Sequence, residues 1–378
     1  MIYLDNAATS YPKPVSVLRR GFRALRRDSF NSGRGGYRAS VSASEKIYAV
    51  RCKLGTMFGF APENIVFTKN CTEALNTAIK GVAVPGGHII ISSLEHNSVS
   101  RVAEALQDAG ICEYDIAAFS YDEKQCVEAF ELLIKENTCA VICMHASNAF
   151  GVLFPIAAIG ALCRKRGIPL IVDAAQTAGI LPLDAVKDNI DILCAPGHKG
   201  LMGPMGTGFL AVREGITLKP LTQGGTGSAS LSLRQPDELP DRLEAGTLNN
   251  AGIIALGKGV DYIQSVGIGN IYRREIQLCR LVYEALSCIG NVRFYTPPPQ
   301  EGRCATLFSF NIDGASGEAV AAYLAGHNIC VRGGYHCTYL AHHHFGTLSQ
   351  GTVRISPGHF NTESECERFV KVLKKFVN

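Results

Sequence analysis

The sequence predicts an α/β protein in three layers, a mostly parallel sheet with helices on both faces, followed by a smaller α+β part. Three observations predict it. Short, continuously apolar runs bounded by turn residues read as strands buried on both sides. Segments of helical period alternate with those runs, as they do in crossover units. After about residue 252 this alternation gives way to a long helical stretch and then to further strands.

Apolar positions 43, 47, 50, 54 and 58 in "SASEKIYAVRCKLGTMFG" step by three and four, the stripe of a helix with one buried face. "NIVFTK" follows as a strand and leads into the helix of "NCTEALNTAIKG". The order then continues with "HIIISS" as strand, "SVSRVAEALQDAG" as helix, "CAVICMHAS" as strand and "IAAIGALCRKRG" as helix. Three strands close the series: "PLIVDAA", "DILCAP" and "GTGFLAVR". Beyond the helical stretch come "CATLFSFNID", a helix near 316 to 327, "NICVRGG", "GTVRISPG" and a last helix. Thr362 and Glu365 have the spacing of a capping box, and Phe369, Val370, Leu373 and Phe376 form the apolar stripe behind it. The expected division is a large α/β domain over 13–252 and a small α+β domain made of 1–12 plus 253–378.

At 378 residues and 47% hydrophobic content the chain can fill a substantial core. A net charge of +4 with scattered Lys and Arg gives no basic stripe for nucleic acid, so a small molecule is the expected partner. Fourteen cysteines without regular spacing or a signal-peptide pattern fit reduced thiols in a cytoplasm. No apolar run approaches the ~20 residues that a bilayer requires. No repeat is present, and "TPPPQEGR" at 296 to 303 is the conspicuous linker-like stretch.

In an open α/β sheet, ligands sit beyond the carboxyl ends of the strands, so the polar residues of those loops carry the chemistry. Asn70, Cys71 and Thr72 stand at a strand-to-helix turn, where free amides and a hydroxyl suit a phosphate; ordinary N-capping is the alternative. His96 in "SLEHNSV" follows another strand, as a catalyst or as a hydrogen-bonded loop residue. Asp173 ends the strand of "LIVDAAQTAG", with Gln176 three residues on; it is either a helix cap or the partner of a protonated ring nitrogen. Lys199 follows the next strand beside His198, in "CAPGHKGLMGPMGTG". A free lysine is protonated at neutral pH, with a pKa of ~10.4, so a reactive one needs a site that lowers its pKa or a carbonyl that captures it. Phosphate site, strand-end Asp and loop Lys together match the phosphate, pyridine nitrogen and aldehyde of pyridoxal 5'-phosphate. The small residues around Lys199 are expected to let the backbone approach that cofactor.

The sequence resembles the class V aminotransferase family of fold-type I pyridoxal-phosphate enzymes, in particular its cysteine desulfurase and selenocysteine lyase branch. The resemblance runs collinearly through "YLDNAATSYPKP", "NSGRGGY", "TKNCTEALN", "EHNS", "SNAFG", "VDAAQTAG", "GHKGLMGPMGTG", "EAGTLNNAGI", "VRGGYHC" and "VRISPGHFNT". It implies the αβα pyridoxal-phosphate transferase fold and a homodimer. It also implies that Lys199 joins the cofactor aldehyde, Asp173 pairs with the pyridine nitrogen, His96 stacks on the ring and Gln176 meets the ring hydroxyl. Thr72, the Cys71 amide and His198 would hold the phosphate, with Thr247 reaching it from the other subunit. Asn148 and Arg354 would grip the substrate carboxylate, with Arg332 beside them.

The resemblance makes Cys337 of "RGGYHC" the thiol that takes sulfur from L-cysteine as a persulfide, leaving alanine, for delivery to a protein acceptor. Gly333, Gly334, Gly346 and Gly351 are expected to let its loop swing, and a nearby cation or His336 to favour the thiolate. By composition alone the same residue reads as an inert buried thiol. Three departures from the branch are Pro196 where a Ser is common, "TYLAHHHFG" after the cysteine, and Tyr335 where a His is common. Other readings are a selenocysteine lyase, an aminotransferase or carbon-sulfur lyase in which Cys337 is incidental, and a catalytically idle partner in sulfur assembly. A metal site among His336, Cys337, His342, His343, His344 and His359 is the reading from a different class, disfavoured because adjacent histidines cannot all face one ion. A nucleotide site is weaker still, since "GPMGTG" has its glycines out of order for a dinucleotide.

Overall fold

Continuously apolar strands flanked by two-faced helices can bury their surface only in a covered sheet, and the chain builds one. The computed structural model describes residues 1–33 and 35–377; Arg34 of the "NSGRGGY" segment lies outside them. The chain opens with β1 (Ile2–Tyr3), α1 (Val15–Arg27) and α2 (Arg38–Phe58). It continues through β2 (Ile65–Thr68), α3 (Cys71–Val82), β3 (Gly87–Ser92), α4 (Asn97–Asp108), β4 (Cys112–Ala117) and α5 (Glu123–Glu131). Next come β5 (Thr138–Met144), α6 (Ile156–Arg166), β6 (Leu170–Asp173), β7 (Ile192–Pro196) and β8 (Gly208–Val212).

These strands form a sheet of order β2-β8-β7-β6-β5-β3-β4. β8 runs antiparallel to both β7 and β2, and the other neighbouring pairs are parallel. The carboxyl ends of β2, β3, β5, β6 and β7 therefore lie along one edge, and the candidate loops leave from there.

Side-chain alternation along the strands feeds two cores. Ile89, Ile91 and Ile142 face Ala74, Leu75, Val99 and Leu106 of α3 and α4. Ile90, Val141 and Val172 face the opposite layer, with Ile47, Val50, Leu54 and Phe58 of α2 and Ile159 of α6. The α2 residues are the stripe expected from sequence.

After a long segment come α7 (Asn250–Val266), α8 (Ile268–Ser287), β9 (Val292–Phe294), β10 (Phe308–Ile312), α9 (Gly317–Gly326), β11 (Ile329–Cys330) and β12 (Arg332–Gly334). α10 (Tyr339–His344), β13 (Thr352–Ile355) and α11 (Glu363–Val377) complete the chain. A second sheet has the order β12-β13-β10-β9, and β1 pairs with β11 in parallel. Ile2 and Leu4 share a third apolar cluster with Leu278, Phe308, Phe310, Val353 and Phe369. The α11 capping box forms: the Glu365 amide donates to Thr362 Oγ1 at 3.2 Å and the Thr362 amide to Glu365 Oε2 at 3.0 Å. Among the described residues no helix is long and apolar enough to cross a membrane.

Candidate active site

Nine of the candidate site residues read from the sequence line one cavity of about 110 Å³ at the carboxyl edge of the large sheet: Asn70, Cys71, Thr72, His96, Asn148, Asp173, Gln176, His198 and Lys199. The end of it where a phosphate is expected is the start of α3. Asn70 caps that helix, accepting the Glu73 amide at 2.9 Å, which leaves the amides of Cys71 and Thr72 without intrahelical acceptors. Capping, set as an alternative to anion binding from sequence, thus leaves the Cys71 and Thr72 amides of the same turn free for an anion. β8 can pass beside this turn because Gly208 has no side chain; a Cβ there would stand 2.7 Å from the Asn70 carbonyl carbon.

Asp173 is buried at the end of β6 and accepts the Ala175 amide at 2.8 Å, while the Cys71 thiol lies 3.6 Å from the same oxygen. Burial raises its pKa, against the pull of the Ala175 amide and of Lys199. Lys199 has its pKa lowered, first by burial and then by Arg354, with Asp173 opposing. His96 caps α4: the Ser98 amide donates to Nδ1 at 3.0 Å, so the ring proton resides on Nε2. Burial, with the Lys199 and Arg332 charges, holds that imidazole neutral, its pKa down at about 4. His198 is likewise held at about 4, by burial and by Lys199 and Lys13, and its buried Nδ1 has no partner. Gln176 donates to Ala7 O at 3.2 Å.

The glycines around Lys199 serve the packing of the loop itself. A Cβ at Gly197 would meet Thr207 Oγ1 at 2.2 Å, and one at Gly200 would meet Ala178 O at 2.5 Å. They let the loop close on the protein itself. Residues that sequence reasoning missed hold this loop from outside: Thr9 Oγ1 donates to His198 O at 3.0 Å, Ser10 Oγ to Lys199 O at 2.9 Å and Lys13 Nζ to His198 O at 2.6 Å. In the sequence they stand in "ATSYPKP", a few residues after β1, where nothing local marks them as neighbours of Lys199.

Arg332, Arg354 and Cys337 do not line the cavity but stand beside it. Arg354, 1% exposed, is paired with Asp5 at 2.6 Å and donates to Asn148 O at 2.7 Å, so its guanidinium is already engaged within the chain. Cys337 is exposed, with Arg332 Nη2 3.6 Å from its Sγ. Thr247 is exposed and stands apart from this cavity.

The cysteine segment differs from the swinging loop expected. Tyr335 to Thr338 form a tight turn, closed by the Thr338 amide to Tyr335 O at 3.0 Å, with His336 and Cys337 both left-handed at φ 51° and 59°. The Asn97 amide donates to Cys337 O at 2.8 Å, Asn148 Nδ2 to His336 O at 2.7 Å and Thr338 Oγ1 to Glu95 O at 2.9 Å. Gly333 and Gly334 of β12 pair with Val353 and Thr352 of β13, and a Cβ on Gly351 would abut Gly334 at 2.9 Å, so these three glycines serve close packing, whereas Gly346, at φ 67°, has open space where its Cβ would stand. His336 turns inward to Thr352 Oγ1 at 3.0 Å with its pKa well below the usual value through burial and Arg354, so Arg332 is the cation facing the thiol. Among the described residues no group of three or more His, Cys, Asp or Glu is placed to hold a metal ion.

The aminotransferase class-V profile matches residues 2–369. A probable cysteine desulfurase of Synechocystis is 34% identical, covering 99% of this chain and 90% of the relative. One from Methanothermobacter thermautotrophicus is 32% identical over 99% of this chain and 94% of its own. Among solved structures, the apo cysteine desulfurase of Thermococcus onnurineus superposes with a TM-score of 0.91 at 32% identity, covering 100% of this chain and 94% of that one. The S-sulfonic acid form of the Escherichia coli cysteine desulfurase CsdA superposes at 0.87 and 25% identity, over 99% and 94%. With the αβα sheet, the Lys199 loop and a family match across nearly its whole length, this chain belongs to the class V aminotransferase family.

Proposed function

We propose that the protein is a pyridoxal 5'-phosphate-dependent cysteine desulfurase that converts L-cysteine to L-alanine and receives the sulfur on Cys337. The observation that carries this reading is the place of Cys337: an exposed thiol beside a guanidinium, on a turn bonded to Asn148 of the cavity and to the backbone of Asn97, next to His96. The cavity suits the cofactor: unsatisfied amides at the α3 start, the unpartnered His198 Nδ1 and the Asp173 carboxylate supply a donor set for an anion at one end and an acceptor for a ring N–H at the other. Thr72, the amides of Cys71 and Thr72 and His198 would hold the phosphate, Asp173 the ring nitrogen, Gln176 the ring hydroxyl, His96 the ring face and Lys199 the aldehyde. When bound, the cofactor supplies an electron sink next to the substrate's Cα.

The chain's own residues do the rest. Lys199, with its lowered pKa, moves protons at Nζ. The free N–H groups of Arg354 and the Asn148 amide orient the substrate carboxylate. The Cys337 thiolate attacks the substrate sulfur: an S–S bond forms, the Cβ–S bond breaks, and its electron pair stays with the carbon skeleton, which takes a proton to become alanine.

A homodimer belongs to the same proposal, supported by the exposed Thr72 at the phosphate end, the exposed Thr247, and the outward apolar residues Leu18, Phe22 and Leu25 of α1. So do a protein persulfide acceptor and a reducing compartment, the cytoplasm, which suits cysteines that are all free. The domain division at 12/13 and 252/253 is also proposed; the cluster joining Ile2 and Leu4 to Leu278 and Phe308 supports its N-terminal part, whereas Ile253, Leu256 and Val260 of α7 pack with α2 in the core of the large sheet.

Cys337→Ala tests the reading. Alanine and sulfide release from L-cysteine should fall at least ~100-fold, as when a covalent nucleophile is removed, while the visible cofactor spectrum persists. Unchanged turnover would leave an aminotransferase or carbon-sulfur lyase. Parallel assays with L-selenocysteine choose between sulfur and selenium substrates, and borohydride trapping with peptide mapping tests Lys199.

A further inference from the structure

A line of hydrogen bonds crosses the site from the N-terminal segment to the cysteine turn, and Asp5 begins it. Asp5 Oδ1 accepts from Arg354 Nη2 at 2.6 Å, Arg354 Nη1 donates to Asn148 O at 2.7 Å, and Asn148 Nδ2 donates to His336 O at 2.7 Å, inside the turn that carries Cys337. Asp5 is held in turn: it bridges to Ser356, two residues beyond Arg354, and its own carbonyl accepts from Tyr3 Oη at 3.1 Å. Arg354 Nε and Asn148 Oδ1 are buried without partners, so this part of the line has polar capacity left for a ligand. A guanidinium is a rigid plane, and fixing two of its nitrogens sets the direction of every remaining N–H. An amide nitrogen has two hydrogens, so Asn148 can hold the His336 carbonyl and a ligand oxygen at once.

We propose that Asp5 is a positioning residue: it aims Arg354 and, through Asn148 and the His336 carbonyl, keeps the Cys337 turn in register with the α-carboxylate of a bound amino acid. The identity of that ligand rests on the desulfurase reading; the coupling itself does not. Simple neutralisation of a buried cation is the competing role for Asp5, and two substitutions separate them. Asp5→Asn keeps an acceptor in place and removes the charge; Asp5→Glu keeps the charge and displaces the acceptor by one methylene.

The measurement is the rate at which iodoacetamide alkylates Cys337 in the cofactor-loaded protein, followed by peptide mass mapping, with and without saturating L-alanine. KM and kcat for L-cysteine are measured beside it. L-Alanine is expected to change the Cys337 alkylation rate of the parent about threefold or more, and Asp5→Asn to retain most of that response. Asp5→Glu is expected to lose it and to raise KM about tenfold with a smaller change in kcat, the mark of lost ground-state binding. The proposal is overturned if Asp5→Glu matches the parent, if Asp5→Asn is the more impaired of the two, or if the parent shows no response to L-alanine. If the parent releases no sulfur from L-cysteine, the functional reading fails, and the alkylation comparison still decides the role of Asp5.

Discussion

Glu95, next to His96, shows how the site's chemistry reaches into the core. It is fully buried, accepts from Ser92 Oγ and the Met144 amide at 2.6 Å each, and burial together with Asp173 pushes its pKa up to about 8. A carboxyl of raised pKa keeps its proton in the fold after the unfolded chain has lost it, so its contribution is intact below the ordinary carboxylate range and is lost as pH rises through about 8. Glu95→Gln should match the parent's thermal stability near about pH 5 and exceed it by roughly a few °C near about pH 8.5, read by calorimetry. In the sequence Glu95 was one letter of "EHNS", because neither its burial nor the approach of Asp173 is local. Lys199, Asp173 and His96 were legible singly, since each leaves a strand end. Asp5, Ser10 and Lys13 were not, for the partners that tie them to the site lie 349, 189 and 185 residues away.

At the scale of elements, the cysteine turn stores a testable conformational cost. Two successive left-handed residues without glycine are each disfavoured by ~1 kcal/mol, so Cys337→Gly should be more stable than Cys337→Ala by about that amount in urea unfolding. Gly208→Ala should act in the opposite sense, driving a methyl into the Asn70 backbone and weakening cofactor retention on gel filtration without abolishing the fold. Thr362→Ala should cost ~1 kcal/mol by removing the α11 cap. The helical stripes and apolar strands were legible because one period runs through each. β4, with only its first and last residues buried, and the short α5 carried too little periodicity to be named. The antiparallel course of β8 has no signature in its own residues. Gly333 and Gly351 were read as freedom because the sequence cannot show what backbone lies against them.

Over the whole molecule, distant segments are tied through a few buried charges. Arg51 of α2 pairs with Glu244 at 2.6 Å, donates also to Ile65 O and stacks on Phe67, which anchors the end of the long 213–249 segment to α2 and β2. Glu244→Gln leaves the guanidinium buried without its counter-ion and should cost about 3–5 kcal/mol in urea unfolding, whereas a paired replacement by Met and Gln should recover part of it. The bend that carries Cys337 has a consequence at this scale too. On the proposed function, a sulfur atom bound at such an anchored perch would stay at one address on the surface, and the motion required for delivery would pass to the recipient, on an arm of its own.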